Sequence, residues 1–121
     1  MQMDELIVKI NQNVEEYDYT SARIYIEENL DLLKENKRHL NSNAREILNF
    51  LVEQADAGVK PLSRNELSLI NAINTYAYKF DLRGIKMLLK DNTKLFLRDE
   101  TIAYLNSDAK TILTGMGVIK K

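Results

Sequence analysis

The chain contains the same pattern of residues twice, and this internal repeat constrains its fold more than any other feature. Residues 6–33 coincide with similar residues when they are shifted by 63 positions, and after two inserted residues Leu40–Leu48 matches Leu105–Leu113. The matched pairs include Leu6/Leu69, Ile10/Ile73, Asn11/Asn74, Tyr17/Phe80, Asp18/Asp81, Ile26/Leu89, Asn29/Asn92, Ile47/Ile112 and Leu48/Leu113. A repeat of this length built from helical segments predicts stacked helices around a shared core.

Apolar residues recur at helical spacing along the chain, and alternating strand patterns are absent. We therefore predict a single all-α domain over 1–121, with five or six helices in two pseudo-repeated three-helix units. Unit one covers 3–57, a linker 58–62, unit two 63–115 and a short C-terminal tail 116–121. Helices are expected over about 3–17, 19–34, 42–57, 64–79, 82–97 and from 107. The paired apolar positions should be buried together.

Composition favours a soluble cytoplasmic protein without a catalytic centre. The chain has no cysteine, its acidic start differs from a secretory signal, and no apolar run approaches the roughly 20 residues of a membrane span. His39 is the only histidine, which predicts a solvated residue, and there is no glycine-rich phosphate loop. We expect no enzyme activity, no metal, no cofactor and no membrane partner.

The segment Asp18-Tyr19-Thr20-Ser21-Ala22 followed by Ile26 resembles the second helix of a tetratricopeptide repeat. The likeness covers about 15 residues of each copy, and the copies lie 63 residues apart, whereas that family repeats every 34 or so. The resemblance implies a helical-repeat scaffold that binds proteins, and it carries over no binding residue.

The two halves differ in charge although they share their apolar pattern. Residues 1–60 carry 7 Lys and Arg against 12 Asp and Glu, and residues 61–121 carry 10 against 6, which gives balances of −5 and +4. This asymmetry favours either a homodimer or attraction between the halves of one chain. A stable dimer also needs an apolar patch, and the consecutive residues Leu95, Phe96 and Leu97 are the candidates, because one helix cannot bury all three.

The tyrosines and two asparagines have structural and functional interpretations. Tyr19 and Tyr25 are candidates to line a concave surface for a peptide partner, and core packing is the favoured alternative for each. Asn29 and Asn92 recur among apolar neighbours in the two copies. They could make a polar contact to a ligand, but we favour a structural role in which each side-chain amide caps or bends the end of a helix.

Six cations follow one another at helical spacing in the second half and form one stripe if the helix is continuous: Lys79, Arg83, Lys86, Lys90, Lys94 and Arg98. The stripe is most simply a solvated face, and it also suits an acidic protein surface or nucleic acid. We therefore predict a non-catalytic adaptor or regulator that binds a protein partner through a helix-lined surface. The candidate contacts are Tyr19, Tyr25, Arg83, Lys86, Lys90 and Lys94. The alternative is a nucleic-acid-associated regulator that uses the basic stripe.

Overall fold

A computed structural model describes residues 2–57 and 61–120, without the side chains of residues 55–57. These residues form α1 (Met3–Glu15), α2 (Tyr19–Glu28), α3 (Leu30–Glu35), α4 (Ser42–Ala57), α5 (Arg64–Tyr78), α6 (Leu82–Asp91), α7 (Asp99–Tyr104) and α8 (Ser107–Met116). Two short 3-10 helices, Lys37–His39 and Thr93–Leu97, complete the described chain, which contains no strand. The all-α prediction is confirmed. Residues 58–60 of the predicted linker lie outside the described residues.

The described chain has eight α-helices instead of five or six, because the predicted helix 19–34 is divided at Asn29 into α2 and α3, and because α7 was not predicted. The predicted helix 82–97 is also divided, at Asn92, but its second part is a 3-10 helix. The Asn29 side chain donates a hydrogen bond to the Tyr25 carbonyl (2.9 Å), and Asn92 donates to the Leu88 carbonyl (3.0 Å). Each amide thereby satisfies a carbonyl at the end of its helix. The structural interpretation of the two asparagines is confirmed.

The turns after α1 and α5 have the same local structure. Tyr17 (φ 63°) and Phe80 (φ 55°) both adopt the left-handed conformation, and an aspartate follows each of them. The Asp18 and Asp81 carboxylates each accept a hydrogen bond from the backbone N–H three residues later, at 3.2 and 3.0 Å. These N-caps start α2 and α6 where the sequence predicted them.

Two asparagine pairs tie the first helix of each half to a later one. The Asn11 side-chain oxygen accepts from the Asn41 backbone N–H (2.9 Å), and the Asn41 amide donates to the Asn11 carbonyl (3.4 Å). Asn74 and Asn106 make the same two hydrogen bonds at 2.9 and 3.2 Å. These bonds hold α1 beside the start of α4, and α5 beside the start of α8.

The paired apolar positions form the core, with two exceptions. Leu69 and Ile112 are half-buried against the core, and the other members of five predicted pairs are buried: Leu6, Ile10, Ile73, Ile26, Leu89, Ile47, Leu48 and Leu113. The prediction of shared burial therefore holds for most of the stripe.

The second 3-10 helix packs on α4 and joins the two halves. Leu95, Phe96 and Leu97 are all buried there, so the prediction that they form an exposed dimer patch is wrong. The tighter 3-10 geometry turns consecutive side chains in different directions, and α4 and α7 pack on this segment. An amphipathic helix packed on one side could not bury three adjacent residues. Here they are buried because α4 and α7 both contact the segment.

The end of the chain packs on the start of α2. The Gly117 carbonyl accepts a hydrogen bond from the Thr20 backbone N–H (2.9 Å), and Val118 and Ile119 are buried. These residues of the predicted C-terminal tail therefore belong to the core.

Two glycines at this end should respond oppositely to alanine. A Cβ at Gly117 (φ 86°) would lie 2.7 Å from an Asp18 carboxylate oxygen, so Gly117→Ala should lower the free energy of unfolding by about 1–2 kcal/mol or more. A Cβ at Gly115 meets no atom within 4 Å, and Gly115→Ala should stabilise α8 by about 0.5–1 kcal/mol. Urea denaturation followed by circular dichroism measures both changes. If both substitutions changed the free energy of unfolding in the same direction, the left-handed conformation of Gly117 would be contradicted.

Candidate interaction surface

Helix α6 separates its residues into a buried and an exposed side. Ile85 and Leu89, four residues apart, are fully buried. Other residues of this helix are exposed, and we call five of them the α6 face: Leu82, Arg83, Lys86, Met87 and Lys90. The face combines three cations with two large apolar side chains.

The cations of the α6 face are free to meet a partner. Within the described part of the chain, Arg83, Lys86 and Lys90 form no ion pair and no side-chain hydrogen bond. Each therefore keeps its full set of donors for an external carboxylate or phosphate. Three of the candidate contact residues from the sequence are brought together here.

The predicted six-cation stripe is interrupted, because α6 ends at Asp91 and the chain turns at Asn92. Beyond this break, Lys94 lies 3.7 Å from the Glu53 carboxylate, and Arg98 is largely buried between Glu66 (3.2 Å) and Glu100 (3.3 Å). The six cations were expected to form one stripe only if the helix is continuous, and this condition is not met beyond Lys90. Lys94 contributes to packing between the halves, because it joins the second 3-10 helix to α4.

The Arg98 contact also involves the start of α5. The Ser63 backbone N–H donates to the Glu66 carboxylate (2.8 Å) in the predicted capping box. This hydrogen bond chiefly, with help from the Arg98 guanidinium, holds the pKa of Glu66 below its ordinary value. Arg98 thus stabilises a helix start and is not part of the α6 face.

Tyr19 and Tyr25 do not form a surface groove together. Tyr19 is fully buried and its hydroxyl donates to the Leu89 carbonyl (3.3 Å), which joins α2 to α6. Burial raises the pKa of Tyr19 to about 12. Tyr25 is half-buried and packs against the core. The structure therefore agrees with core packing, the favoured alternative for Tyr19.

A small cavity of about 200 Å³ lies beside Tyr19, where α2 meets Leu97 and Ile119. Two of its four charged lining residues are paired with each other, since Arg23 donates to Glu27 (2.9 Å), and Arg23 also donates to the Leu97 carbonyl (3.1 Å). The cavity is also smaller than the roughly 300–1,000 Å³ typical of ligand pockets. We interpret it as part of the junction between the halves.

Exposed aromatic residues lie next to the α6 face, which the sequence interpretation missed. Tyr78 and Phe80 occupy the end of α5 and the following turn, and both are exposed. Phe80 matches the half-buried Tyr17 of the first half, so the alignment alone suggested a similar environment. With Leu82 and Met87, they are four of the eight large apolar side chains that are exposed in the described chain, and all four fall between residues 78 and 87.

Other kinds of site find no support in the residues that the structure describes. No group of three or more potential metal-ligating side chains occurs among them, and His39 is exposed as predicted. None of the helices in the same residues is both long and apolar enough to cross a membrane.

Comparison with protein-family models, with curated proteins and with solved structures finds no match to this chain.

Proposed function

We propose that this chain is a non-catalytic protein-interaction module, built as a tandem pair of helical units, that binds an acidic protein surface through the α6 face. The observation that carries the proposal is the combination of three unpaired cations with the exposed side chains of Leu82 and Met87 on one helix, all within the described residues. A surface of this kind attracts a partner by charge and holds it by apolar contact.

The tandem arrangement is supported by local structures that recur 63 or 65 residues later in the chain. Asn29 and Asn92 end their helices alike, Asp18 and Asp81 cap theirs alike, and the Asn11/Asn41 pair recurs 63 and 65 residues later. In the proposed arrangement, the α6 face belongs to the second unit, and its five residues are exposed in the described part of the chain.

The mixture of side chains favours a protein partner. Exposed ion pairs contribute only about 0–1 kcal/mol each, so three cations alone do not give stable binding. Met87 adapts its shape to a partner, and burying Leu82 and Met87 adds the apolar contribution that the charges lack. The alternative proposal is nucleic-acid binding. Fewer cations are available for phosphate contacts than the six-residue stripe suggested, because Lys94 and Arg98 form ion pairs within the chain.

A photo-crosslinking residue placed at Met87, in cells that make the protein, tests the proposal. We expect a discrete protein adduct that disappears in the Lys86→Glu/Lys90→Glu variant, because that change reverses two charges of the α6 face. A crosslinker at Val8, which is also exposed but lies on α1, provides the positional control. The Lys9→Glu/Arg64→Glu variant changes the net charge equally at two exposed sites on α1 and α5 and should keep the adduct.

Absence of an adduct at Met87, or an adduct unaffected by charge reversal, would contradict the proposed function. Fluorescence anisotropy with labelled DNA and RNA tests the alternative. Binding that falls steeply with salt and requires Lys86 and Lys90 would support the nucleic-acid proposal instead.

A further inference from the structure

The turns after α1 and α5 share a backbone structure but differ in the side chains that they expose. Tyr17 and Phe80 are both left-handed, and the aspartate after each donates its backbone N–H to the carbonyl five residues earlier, at 2.8 Å. Tyr17 is half-buried, and its ring centre lies 6.3 Å from that of the fully buried Tyr19. Phe80 is 69% exposed, and Leu82, the counterpart of Tyr19, is 38% exposed. Exposed apolar side chains are therefore not a requirement of this turn.

The second turn combines exposed apolar side chains with exposed cations. Tyr78 is 80% exposed, so three large apolar side chains are exposed within residues 78–82. Lys79 and Arg83 are exposed too, and neither forms an ion pair within the described residues. We call the following five residues the aromatic turn: Tyr78, Lys79, Phe80, Leu82 and Arg83. In the first half, Glu15 and Glu16 occupy the positions of Tyr78 and Lys79, so the equivalent turn is acidic.

The surroundings of the aromatic turn are positively charged. Residues 78–90 contain four Lys and Arg against one carboxylate, Asp81, which gives a balance of +3. The Asp81 carboxylate accepts a hydrogen bond from the Gly84 backbone N–H (3.0 Å) and thereby caps α6. Exposed charges act together over a Debye length of about 10 Å, so this segment attracts an anionic surface.

Phenylalanine is an unfavourable residue for position 80 in the isolated chain. A bulky side chain destabilises the left-handed conformation, which glycine and asparagine adopt more readily. The exposed ring also leaves apolar surface in water. Burial of the ring against a partner would offset this second cost.

We propose that the aromatic turn docks on a lipid bilayer that carries anionic headgroups. Tyr78 and Phe80 enter the interfacial layer, which favours aromatic rings, and Lys79 and Arg83 contact the headgroups. The inference goes beyond the proposed function, because it assigns a ligand to the turn, although Leu82 and Arg83 belong to both surfaces. Composition did not predict this contact, since the exposure of the two rings depends on the fold.

The form and the composition of the aromatic turn favour a lipid surface over other partners. Side chains as exposed as Tyr78 and Phe80 need a matching pocket in a protein partner, whereas a fluid interface adapts to them. A single nucleic-acid strand stacks on aromatic rings but makes no stacking contact with the aliphatic Leu82. Anionic lipid suits both the cations and all three apolar side chains.

Co-sedimentation with lipid vesicles tests the proposal. The vesicles contain phosphatidylcholine and phosphatidylserine at about 7 to 3, and vesicles of phosphatidylcholine alone are the neutral control. The wild-type protein should bind the anionic vesicles at least about tenfold more tightly than the neutral ones, and salt should release it. Lys79→Glu/Arg83→Glu should weaken the binding. Lys9→Glu/Arg64→Glu, which changes the net charge equally at exposed sites on α1 and α5, should keep it.

Tryptophan fluorescence locates the contact on the protein. Because the chain has no tryptophan, Phe80→Trp places a single fluorophore in the aromatic turn. Its emission should move to shorter wavelength with anionic vesicles, because the indole ring leaves water. Tyr104→Trp, at an exposed position at the end of α7, is the positional control and should keep its emission.

Removing the two rings should abolish most of the binding without unfolding the chain. Phe80→Asn/Tyr78→Ser should weaken vesicle binding at least about tenfold. Asparagine tolerates the left-handed conformation, so urea denaturation should show no loss of stability from the change at position 80. Unchanged vesicle binding by this variant would overturn the proposal.

A wild-type protein that ignores anionic vesicles, or binds neutral ones equally well, would also overturn it. If the Phe80→Trp emission responds to a single-stranded oligonucleotide and not to vesicles, the turn binds nucleic acid instead. Failure of the proposed function is distinguishable. A Met87 crosslink to a protein without vesicle binding retains the protein contact and rejects the lipid contact, and vesicle binding without that crosslink has the opposite meaning.

Discussion

Replacing Ile73 with alanine should lower the free energy of unfolding by about 2–5 kcal/mol. Ile73 lies in α5, is fully buried, and would leave a cavity that the closely packed neighbours cannot fill completely. Ile10 is its counterpart in α1 and is equally buried, so Ile10→Ala should have a cost in the same range. Urea denaturation followed by circular dichroism at 222 nm or so measures both changes.

Both variants should still unfold in one transition, although each change lies in a different half. Tyr19 and Phe96 are buried at the junction, so unfolding one half would expose core residues of the other. The controls are Val8→Ala on α1 and Ser68→Ala on α5, both at exposed positions, where about 0.5 kcal/mol or less is expected. A cost of that small size at Ile73, or two separate transitions, would contradict this account of the core.

Much of the helical structure follows from local signals in the sequence. Asp18, Ser63, Asp81 and Asn106 each accept a backbone hydrogen bond at the start of a helix, and a short polar side chain before an apolar repeat predicts this. Gly117 ends α8 in the left-handed conformation, which glycine adopts without strain. Such features depend on residues within one turn of each other, so a sequence pattern contains them.

The divisions of the longer helices were harder to predict. The apolar spacing continues from Ile26 through Leu30 to Leu33, so the pattern favours one helix across Asn29. Asparagine weakens a helix interior by well under about 1 kcal/mol, which is too little to decide the outcome from sequence. The break forms because its side-chain hydrogen bond and packing on α4 act together.

Only part of the candidate surface could be identified from periodicity. Arg83, Lys86 and Lys90 lie on one side of α6, as their spacing predicts. Lys94 and Arg98 were assigned to the same stripe, but their positions depend on Glu53 and Glu66, which are distant in sequence. Contacts of this kind leave no local pattern in the sequence.

Equivalent positions in a repeat also differ in exposure for a reason that alignment does not show. Leu82 and Tyr19 match in sequence, and so do Leu32 and Leu95, yet one member of each pair is covered and the other is open. Whether a position is covered depends on which distant segment packs over it: α6 lies over Tyr19, whereas Leu82 stays exposed. The alignment gives the equivalent positions, and the structure is needed to show where neighbours are present.

The second large effect concerns Tyr19 at alkaline pH. Burial raises the pKa of its phenol from the ordinary value of 10.0 to about 12 in the folded chain, because the phenolate is poorly solvated there. The folded state therefore holds the phenol proton more tightly than the unfolded state does. This contribution to stability is complete below pH 10 and is lost as the pH rises towards 12. The expected loss is about 3 kcal/mol, since each pKa unit corresponds to about 1.4 kcal/mol.

Tyr19→Phe isolates this effect, because phenylalanine keeps the ring and has no proton to lose. At neutral pH it should cost only about 0.5–1.5 kcal/mol, and the Leu89 carbonyl retains a hydrogen bond from the Thr93 hydroxyl (3.3 Å). Urea denaturation between about pH 8 and pH 12 should therefore show the wild type losing its advantage and then becoming the less stable protein. Tyr78→Phe removes an exposed hydroxyl and should follow the wild type. Parallel curves for wild type and Tyr19→Phe would mean that Tyr19 ionises equally readily in the folded and unfolded chains. That result would contradict the complete burial of Tyr19 at the junction of α2 and α6.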